Sequence, residues 1–347
     1  MKSFCSLVLC LLWITPLASQ TKTDKERDDL VGPVKRVEVF LIEFVGQDNQ
    51  IVEKKRRRHT TTYNTEGNMA ERVLYDQNDK IMARDLYTFD ADGRSTGYEE
   101  YVLWIDKAST TPRRHVYTLD AAGRRVEYTV FESNGSVASR SVFKYDAKGN
   151  LIEQQWYAHT GRLGGRTVFT FDENGNQTSL TSYQEDDAPN FKNVSKYDAN
   201  GNQTEALQYH GNTLRYKFLN SYDSKGRILE KETIEFNSKP ESFPSHAPQP
   251  GKVVYTYDDE KRTKEIATYG VDGTLKGKVT HAYDERNNEI GLKIFNANGP
   301  QETSEARLTT IEYDSSGNWT RKTHFRLPEK GGQPQPNHVE LRVITYH

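Results

Sequence analysis

The stretch Tyr145–Gln177 reads YDAKGNLIEQQWYAHTGRLGGRTVFTFDENGNQ. It opens on a turn-like phrase, Tyr-Asp-x-x-Gly-Asn, which returns at Phe171 as Phe-Asp-x-x-Gly-Asn. A second aromatic residue, Tyr157, lies between the two phrases and is followed by another turn-like sequence, His-Thr-Gly. The stretch therefore indicates one complete unit of strand, turn, strand and turn, followed by the start of the next unit.

The same unit recurs along most of the chain, and its first aromatic position is called the anchor. Five of the nine intervals between consecutive anchors are 26 residues, and the others are 25, 30, 30 and 35. The anchors are Tyr63, Phe89, Leu119 (an aliphatic substitute), Tyr145, Phe171, Tyr197, Tyr222, Tyr257, Tyr283 and Tyr313. Nine of the ten are followed after 12 residues by a second aromatic: Tyr75, Tyr101, Phe131, Tyr157, Tyr183, Tyr209, Tyr269, Phe295 and Phe325.

Turn chemistry explains the residues that follow each anchor. The Asp146 carboxylate can accept backbone N–H groups two residues later in the chain, and Gly149 can adopt a positive φ without steric cost. A type I turn followed by a left-handed glycine is a common hairpin connection. The same roles are predicted for Asp172 with Gly175 and for Asp198 with Gly201. Lys261 occupies the glycine position in one unit, so a distorted turn is predicted there.

This repeated pattern of strands and turns predicts an all-β protein built as an antiparallel repeat sheet of about 20 strands. A flat sheet of that size would be roughly 100 Å long, and twisted sheets of that size rarely stay flat, so a curled or spiral sheet is expected. The alternative is a five-bladed β-propeller in which two units form one blade. The predicted boundaries are a signal peptide at 1–19, an N-terminal segment with a leading hairpin at 20–62, and a repeat domain at 63–347 with a Pro/Ser-rich loop at 237–251.

The first residues predict export. Lys2 is followed by an apolar run from Phe4 to Ile14 and by small residues, which is typical of a signal peptide and too short for a transmembrane helix. Both cysteines, Cys5 and Cys10, lie in this segment, and the surroundings of Cys10 do not favour lipidation. A mature chain without cysteine favours the periplasm, the cell surface or the extracellular space of a bacterium.

The phrases YDAKGN, FDENGN, YDANGN, YDSKGR and YDSSGN resemble the YD repeats of the RHS family over roughly Tyr63 to Asn318. The resemblance implies a long antiparallel sheet that winds into a spiral or a hollow shell. Three features depart from the family. The period of 26 is longer than usual, the sequence contains no Asp-Pro, and no distinct toxin-like domain follows the repeats. Toxin encapsulation and self-cleavage are therefore not carried over to this chain.

Composition and motifs leave the partner open. The chain has 47 Lys+Arg against 49 Asp+Glu, which does not favour nucleic acid as the main partner. No other segment approaches 18 consecutive apolar residues, so no transmembrane segment is expected in the mature chain. Catalytic, cofactor and metal motifs are not found, so no catalytic residue, cofactor or metal ligand is predicted. The partner is an unknown protein or glycan, and the oligomeric state is open.

Three weaker signals concern ligands. Exposed tryptophans can stack on sugar rings, and Trp104, Trp156 and Trp319 are the candidates. The turns after Phe171 and Tyr197 have the oxygen-rich composition of calcium loops, although tight turns need the same residues. The basic run Lys54–His59 could meet an anionic surface, but a basic strand near a sheet edge also prevents edge-to-edge pairing.

The sequence favours an exported, non-enzymatic repeat protein that presents an extended β-sheet surface for protein or glycan binding. One alternative is a glycan-active enzyme on a propeller-like scaffold, in which carboxylates from different repeats meet. A second alternative is a purely structural component of the bacterial envelope.

Overall fold

A computed structural model describes residues 22–47, 50–103, 111–185, 187–236, 248–296, 307–327 and 333–347. The predicted signal peptide at 1–19 lies outside the described residues, as do most of the predicted loop at 237–251 and Trp104. Among the described residues, no helix is long and apolar enough to cross a membrane.

The described chain contains one short helix and 22 strands, two for each of the ten units and two for the leading hairpin. Their bounds are α1 Asp24–Arg27, β1 Val34–Gln47, β2 Gln50–Tyr63, β3 Met69–Tyr75, β4 Ile81–Phe89, β5 Ser95–Val102, β6 Arg113–Leu119, β7 Arg125–Phe131, β8 Val137–Tyr145, β9 Leu151–Ala158, β10 Leu163–Phe171 and β11 Gln177–Tyr183. The second half comprises β12 Pro189–Tyr197, β13 Gln203–His210, β14 Thr213–Tyr222, β15 Ile228–Glu235, β16 Gly251–Asp258, β17 Thr263–Tyr269, β18 Leu275–Tyr283, β19 Glu289–Asn296, β20 Arg307–Tyr313, β21 Trp319–Arg326 and β22 Gln335–Tyr346.

The strands form one closed antiparallel β-barrel. Each strand pairs with the next along the chain, and β1 pairs with both β2 and β22, so that Val34–Glu43 align with His338–Tyr346. The predictions of an open curled or spiral sheet and of a five-bladed propeller are therefore wrong. The predictions that the chain is all-β, antiparallel and built from repeats are correct. Closure gives β1 and β22 a hydrogen-bonded neighbour on both sides. In an open sheet they would be edge strands with unpaired N–H and C=O groups.

The turns after the anchors have one recurring geometry, seen at Asp146. One oxygen of its carboxylate accepts from the Lys148 N–H at 2.9 Å and the Asn150 N–H at 2.8 Å, and the other accepts from the Asn150 side-chain amide. Gly149 has φ 90°, and the ladder is bulged at Tyr145. The geometry is that of a type I turn closed by a G1 bulge. Gly175 and Gly201 have φ 85° and 80° in the same turns.

The turn at Lys261 is different. Asp258 still accepts from the backbone, but from the Lys261 N–H at 2.9 Å, and the left-handed residue is Arg262 at φ 51°. The strands run on in unbroken register, since Tyr257 pairs with Lys264 and Asp258 with Thr263. Without glycine at its usual position, the unit moves the positive φ by one residue.

The barrel wall is a single layer whose two faces differ in exposure. In β6, Arg114, Val116 and Thr118 are exposed on one face, whereas His115 is buried on the other. The pairing of opposite residues on neighbouring strands shows which other residues share the face of His115. They include Tyr98, Asp85, Arg72, Thr61 and Arg342. This face is called the sheltered face. Few of its described residues are fully buried, so most of the wall contacts solvent on both sides.

The densest apolar packing lies where the barrel closes. Leu30, Val34, Val37 and Tyr63 form a buried cluster, and Val39, Ile344 and Tyr346 pack against it. The segment before β1 reaches this cluster from α1, which begins with a capping box between Thr23 and Glu26. A buried amide joins the segment to the last unit, because Asn318 donates to the Val31 carbonyl and accepts from its N–H.

The basic run in β2 lies on the part of the β1–β2 hairpin that extends beyond β3. Lys54–Arg57 align with β1 and Arg58 lies at a bulge, but β3 pairs only with His59–Tyr63. Arg56 and Arg57 form ion pairs with Glu43 and Glu38 across the hairpin, at 3.2 and 3.3 Å. The prediction of a sheet-edge position therefore holds only locally, because every strand that the structure describes has a neighbour on both sides.

Candidate binding surface

Four neighbouring strands bring aromatic rings together on the sheltered face. Tyr87 of β4 pairs with Tyr98 of β5, and Tyr98 pairs with His115 of β6. Two residues further along β6, Tyr117 pairs with Tyr128 of β7. Directly opposite residues in an antiparallel sheet have neighbouring side chains on the same face, so five rings form one continuous surface. These five residues are called the aromatic patch.

The rings of the patch contact one another. Tyr98 stacks on His115 with ring centroids 4.0 Å apart and planes 7° apart, and His115 lies 5.9 Å from Tyr128. Tyr87 and Tyr117 extend the patch in tilted contacts at 5.5 and 5.3 Å. Such contacts add to the energy of burial and hold the rings in fixed orientations.

His115 is the buried centre of the patch. Its Nδ1 lies 2.6 Å from the Tyr128 hydroxyl, and its Nε2 lies 3.5 Å from a Glu100 carboxylate oxygen. Burial lowers the pKa of His115, although Glu100 opposes the shift. A neutral imidazole has one N–H, and the carboxylate can only accept. The proton therefore belongs on Nε2, and the Tyr128 hydroxyl donates to Nδ1.

Two carboxylates border the patch on the same face. Asp85 of β4 pairs with Glu100 of β5, so their side chains are cross-strand neighbours. Burial, followed by the Glu100 charge, raises the pKa of Asp85. Arg113 approaches Glu100 at 3.7 Å and Glu132 at 3.2 Å, which partly balances the acidic charge. The patch thus combines apolar ring faces with hydrogen-bond acceptors.

The phenols of the patch remain protonated at neutral pH. Burial raises the pKa of Tyr87 to about 12, and it also raises the pKa values of Tyr98, Tyr117 and Tyr128. Protonated phenols can donate hydrogen bonds as well as accept them. The surface can therefore offer both donors and acceptors beside its rings.

Gly97 allows β5 and β6 to approach each other within the patch. Its φ is 148°, and a Cβ atom at this position would lie 1.9 Å from the His115 carbonyl oxygen. No side chain fits at that distance, so glycine is required for the register that places Tyr98 over His115. The glycine has a role in the site although it carries no functional group.

One of the three tryptophans predicted to stack on sugar rings lies beside the aromatic patch. Trp156 of β9 pairs with Ser141 of β8, which in turn pairs with Tyr128, so Trp156 continues the row of Tyr117 and Tyr128 on the same face. Its side chain is 42% exposed. Gly164 lies beneath the indole, because a Cβ there would be 1.9 Å from a ring carbon. Ser141, which lies between Tyr128 and Trp156 in this row, is buried.

Trp319 lies elsewhere in the barrel. Trp319 of β21 lies under two cations, with the Lys322 ammonium 4.4 Å and the Arg342 guanidinium 3.9 Å from its ring centroid. It belongs to the region of closure, far along the sheet from β9. Trp104 lies outside the described residues. The two tryptophans that the structure describes, Trp156 and Trp319, therefore do not share a surface.

The predicted repeat residues lie in and beside the turns. Tyr145 and Tyr197 donate from their hydroxyl groups to the carbonyls of Arg125 and Gln177 in the preceding units, both at 2.8 Å. Phe171 ends β10, and Tyr157 donates to the Gln155 side chain at 2.8 Å. The anchors thus bind unit to unit.

The turn carboxylates are occupied by donors of their own turns. Asp172 accepts from the N–H groups of Asn174 and Asn176, and Asp198 accepts from those of Asn200 and Asn202. The Asn176 and Asn202 side-chain amides donate to the second carboxylate oxygens. These hydrogen bonds lower the pKa values of both aspartates. The oxygens considered as calcium ligands thus stabilise turns.

A cleft of about 990 Å³ lies elsewhere, between β15, β16 and the turn after β17. Only four residue pairs join β15 to β16, so the two strands diverge there. Glu232, Glu235, Lys252 and Tyr269 contribute to its lining. It has one aromatic ring where the patch has five and a neighbouring tryptophan, so the patch is the stronger candidate for a binding surface.

A group of metal-ligating side chains lies on β21 and β22. His324, His338 and Glu340 can each direct one ligand atom to within 4.8 Å of the others. Within the described residues it is the one group of at least three such side chains that meets this geometry.

Sequence reasoning singled out tryptophans, turns and a basic run as ligand signals and missed the aromatic patch. A signal was present in the repeat itself. Tyr98 and Tyr128 lie nine residues after the anchors Phe89 and Leu119, and the other eight units have no aromatic residue at that position. Comparing the units position by position would have marked these two adjacent units as unusual.

Comparisons with known proteins give the following. No family model matches the chain, and no curated protein matches it. Among solved structures, the crystal structure of TcdB2-TccC3-TEV is similar over 88% of this chain and 19% of that one, at 12% identity and a TM-score of 0.34. A Photorhabdus luminescens Tc holotoxin pore is similar over 80% of this chain and 17% of that one, at 11% identity and a TM-score of 0.30.

A porin-like protein from Bacteroides uniformis is similar over 91% of this chain and 99% of that one, at 12% identity and a TM-score of 0.28. This chain spans less than a fifth of the length of the two toxin chains.

Proposed function

We propose that this chain is an exported, non-enzymatic repeat protein, similar in its turns to the RHS family, whose sheltered face binds a glycan through the aromatic patch. The observation that carries the proposal is the row of Tyr117, Tyr128 and Trp156, with stacked Tyr98 and His115 beside it. Sugar rings present C–H faces that pack on aromatic rings, and their hydroxyl groups need neighbouring donors and acceptors. Asp85, Glu100 and the protonated phenols supply both.

The support for export is the sequence of residues 1–19, with both cysteines confined to it. The periplasm, the cell surface and the extracellular space all contain glycans. A single-layered wall that leaves the four tyrosine rings of the patch partly exposed suits a protein whose surface binds a ligand.

The proposal is tested by measuring binding to a panel of soluble bacterial polysaccharides and oligosaccharides. We expect Tyr117→Ala and Trp156→Ala to weaken binding roughly three- to tenfold each, since an aromatic contact contributes about 0.5–1.5 kcal/mol beyond its buried area. The matched control is Tyr255→Ala. Tyr255 lies two residues before its anchor, as Tyr117 does, but on β16. Equal loss in the control, or no polysaccharide binding by the native chain, would refute the proposal.

A second function is favoured by the paired carboxylates. Asp85, with its raised pKa, and Glu100 are the kind of acid and base pair that glycoside hydrolysis uses. A glycan-active enzyme would release reducing ends from the bound polysaccharide, and Asp85→Asn and Glu100→Gln would each abolish the release. Such turnover would replace the non-enzymatic proposal, whereas binding without release in the native chain would eliminate the enzyme.

A further inference from the structure

We propose that His324, His338 and Glu340 form a binding site for a divalent transition metal ion of the zinc class. His324 of β21 and His338 of β22 are directly paired across the two strands, and their rings stack with centroids 4.3 Å apart. Glu340 follows His338 by two residues, so it lies on the same face of β22. The pattern His-x-Glu on one strand opposite a histidine on the next provides three converging ligands.

Hydrogen bonds engage the Nδ1 atoms of both imidazoles and leave Nε2 of His324 without a partner among the described residues. His324 Nδ1 lies 3.0 Å from the Thr309 hydroxyl, whereas its Nε2 is shielded from solvent and has no hydrogen-bond partner among the described residues. His338 Nδ1 lies 3.2 Å from the Asn337 side-chain amide. With the amide oxygen in that place, after a 180° flip, each Nδ1–H has an acceptor and each Nε2 offers a lone pair. Metal-bound histidines are held in this way by their second nitrogen.

Within the part of the chain that the structure describes, the surroundings of His324 leave one of its nitrogen atoms unsatisfied. An unpartnered Nε2 in a solvent-shielded position is unfavourable, and a metal ion would remove that cost. A metal ion bound to this nitrogen would supply the partner that it lacks among the described residues.

Cations nearby set the strength of the site. Lys322 pairs with Glu340 across the strands. Both Lys322 and Arg342 pack on the Trp319 ring, so a second cation lies in the same region. A metal ion and Lys322 therefore compete for one carboxylate. We expect moderate affinity, and we expect Lys322→Met to increase it.

The donor set selects the class of metal. Two imidazole nitrogens and one carboxylate oxygen suit zinc and its neighbours in the transition series, whereas calcium and magnesium need mainly oxygen ligands. Ligands about 2.0–2.1 Å from a tetrahedral ion lie roughly 3.3 Å apart. The three ligand atoms lie within 4.8 Å of one another, so side-chain rotations would have to bring them closer to bind an ion. A bound ion would link β21 to β22, beside the closure of the barrel, and would leave one coordination position for an external ligand.

The site is tested by titrating Zn²⁺ into the full chain with Cys5→Ser and Cys10→Ser, which removes thiolates that would also bind zinc. Isothermal titration calorimetry is expected to give one ion per chain. His324→Gln and His338→Gln should each weaken binding at least tenfold, and Glu340→Gln should weaken it less. Ca²⁺ and Mg²⁺ at the same concentrations should bind no more than weakly.

The matched control is His281→Gln. His281 Nδ1 lies 2.8 Å from Glu289, so it is also a histidine beside a carboxylate on paired strands, but no third ligand group joins it within the part of the chain that the structure describes. Each variant is checked for native circular dichroism before titration. If zinc binding is absent from the starting protein, or survives unchanged in folded His324→Gln and His338→Gln, the inference is wrong. Selective loss in these two variants, with His281→Gln unchanged, establishes the site.

Discussion

The turn glycines act through backbone conformation alone. Gly149 has φ 90° and ample space beside it, because a Cβ atom at this position would have an Arg124 guanidinium nitrogen, 3.8 Å away, as its nearest neighbour. A substitution there therefore tests strain without steric conflict. The same cannot be said of Gly97, where a Cβ would overlap the His115 carbonyl oxygen.

We expect Gly149→Val to destabilise the protein by about 1–3 kcal/mol, because a β-branched residue at positive φ is strongly strained. Gly149→Asn should cost less, since asparagine tolerates the left-handed region and already occupies it at Asn287, with φ 65°. Urea unfolding followed by circular dichroism measures both changes. Equal stability of the native protein and the valine variant would contradict the role assigned to this turn.

At the scale of elements, four of the units are attached to the unit before them by more than the strand ladder. Tyr145, Tyr197, Tyr222 and Tyr257 all donate from their hydroxyl groups to backbone carbonyls of the preceding unit, at 2.8 to 3.0 Å. The acceptors are the first residues of the preceding β7, β11, β13 and β15. The anchor of the repeat is thus aromatic for packing and phenolic for linkage, which explains why tyrosine is commoner there than phenylalanine.

Tyr197→Phe should remove one such link and lower the free energy of unfolding by about 1 kcal/mol, the net contribution of a typical hydrogen bond, with a further cost for the unpaired Gln177 carbonyl. The matched control is Tyr209→Phe in the same unit, whose ring packs beneath Lys192 at 5.9 Å. The difference between the two variants in urea unfolding isolates the linkage. A larger loss in Tyr209→Phe would show that the hydroxyl of the anchor has no special role.

Much of the architecture could be predicted at the level of the unit and little of it beyond. Asp146 and Gly149 are local signals, because a turn is decided by residues within a few positions of one another. Closure is not local, since Val34 must meet Tyr346 after the curvature of every intervening strand pair has accumulated. The candidate sites could not be predicted from the sequence for the same reason. His324 and His338 meet through register between strands, and spacing along the chain carries no sign of it.

Closure of the barrel is also the whole-molecule property most open to measurement. In an antiparallel sheet, alternate amides of a strand point to its two neighbours. If β1 were an edge strand, half of its amides within Val34–Glu43 would exchange with solvent quickly, while the half facing β2 remained protected. In the closed barrel, both halves are bonded, one to β2 and one to β22.

We therefore expect amide hydrogen exchange, resolved by residue, to show continuous protection along Val34–Glu43 and along His338–Tyr346, comparable to that of the central pair β12 and β13. Asn318→Ala provides a matched perturbation. It removes the buried amide that binds Val31 and the Tyr346 hydroxyl, without touching the β1–β22 ladder itself. It should speed exchange at the closure and leave β12 and β13 unchanged. Alternating fast and slow amides along β1 in the native protein would mean that the sheet is open in solution.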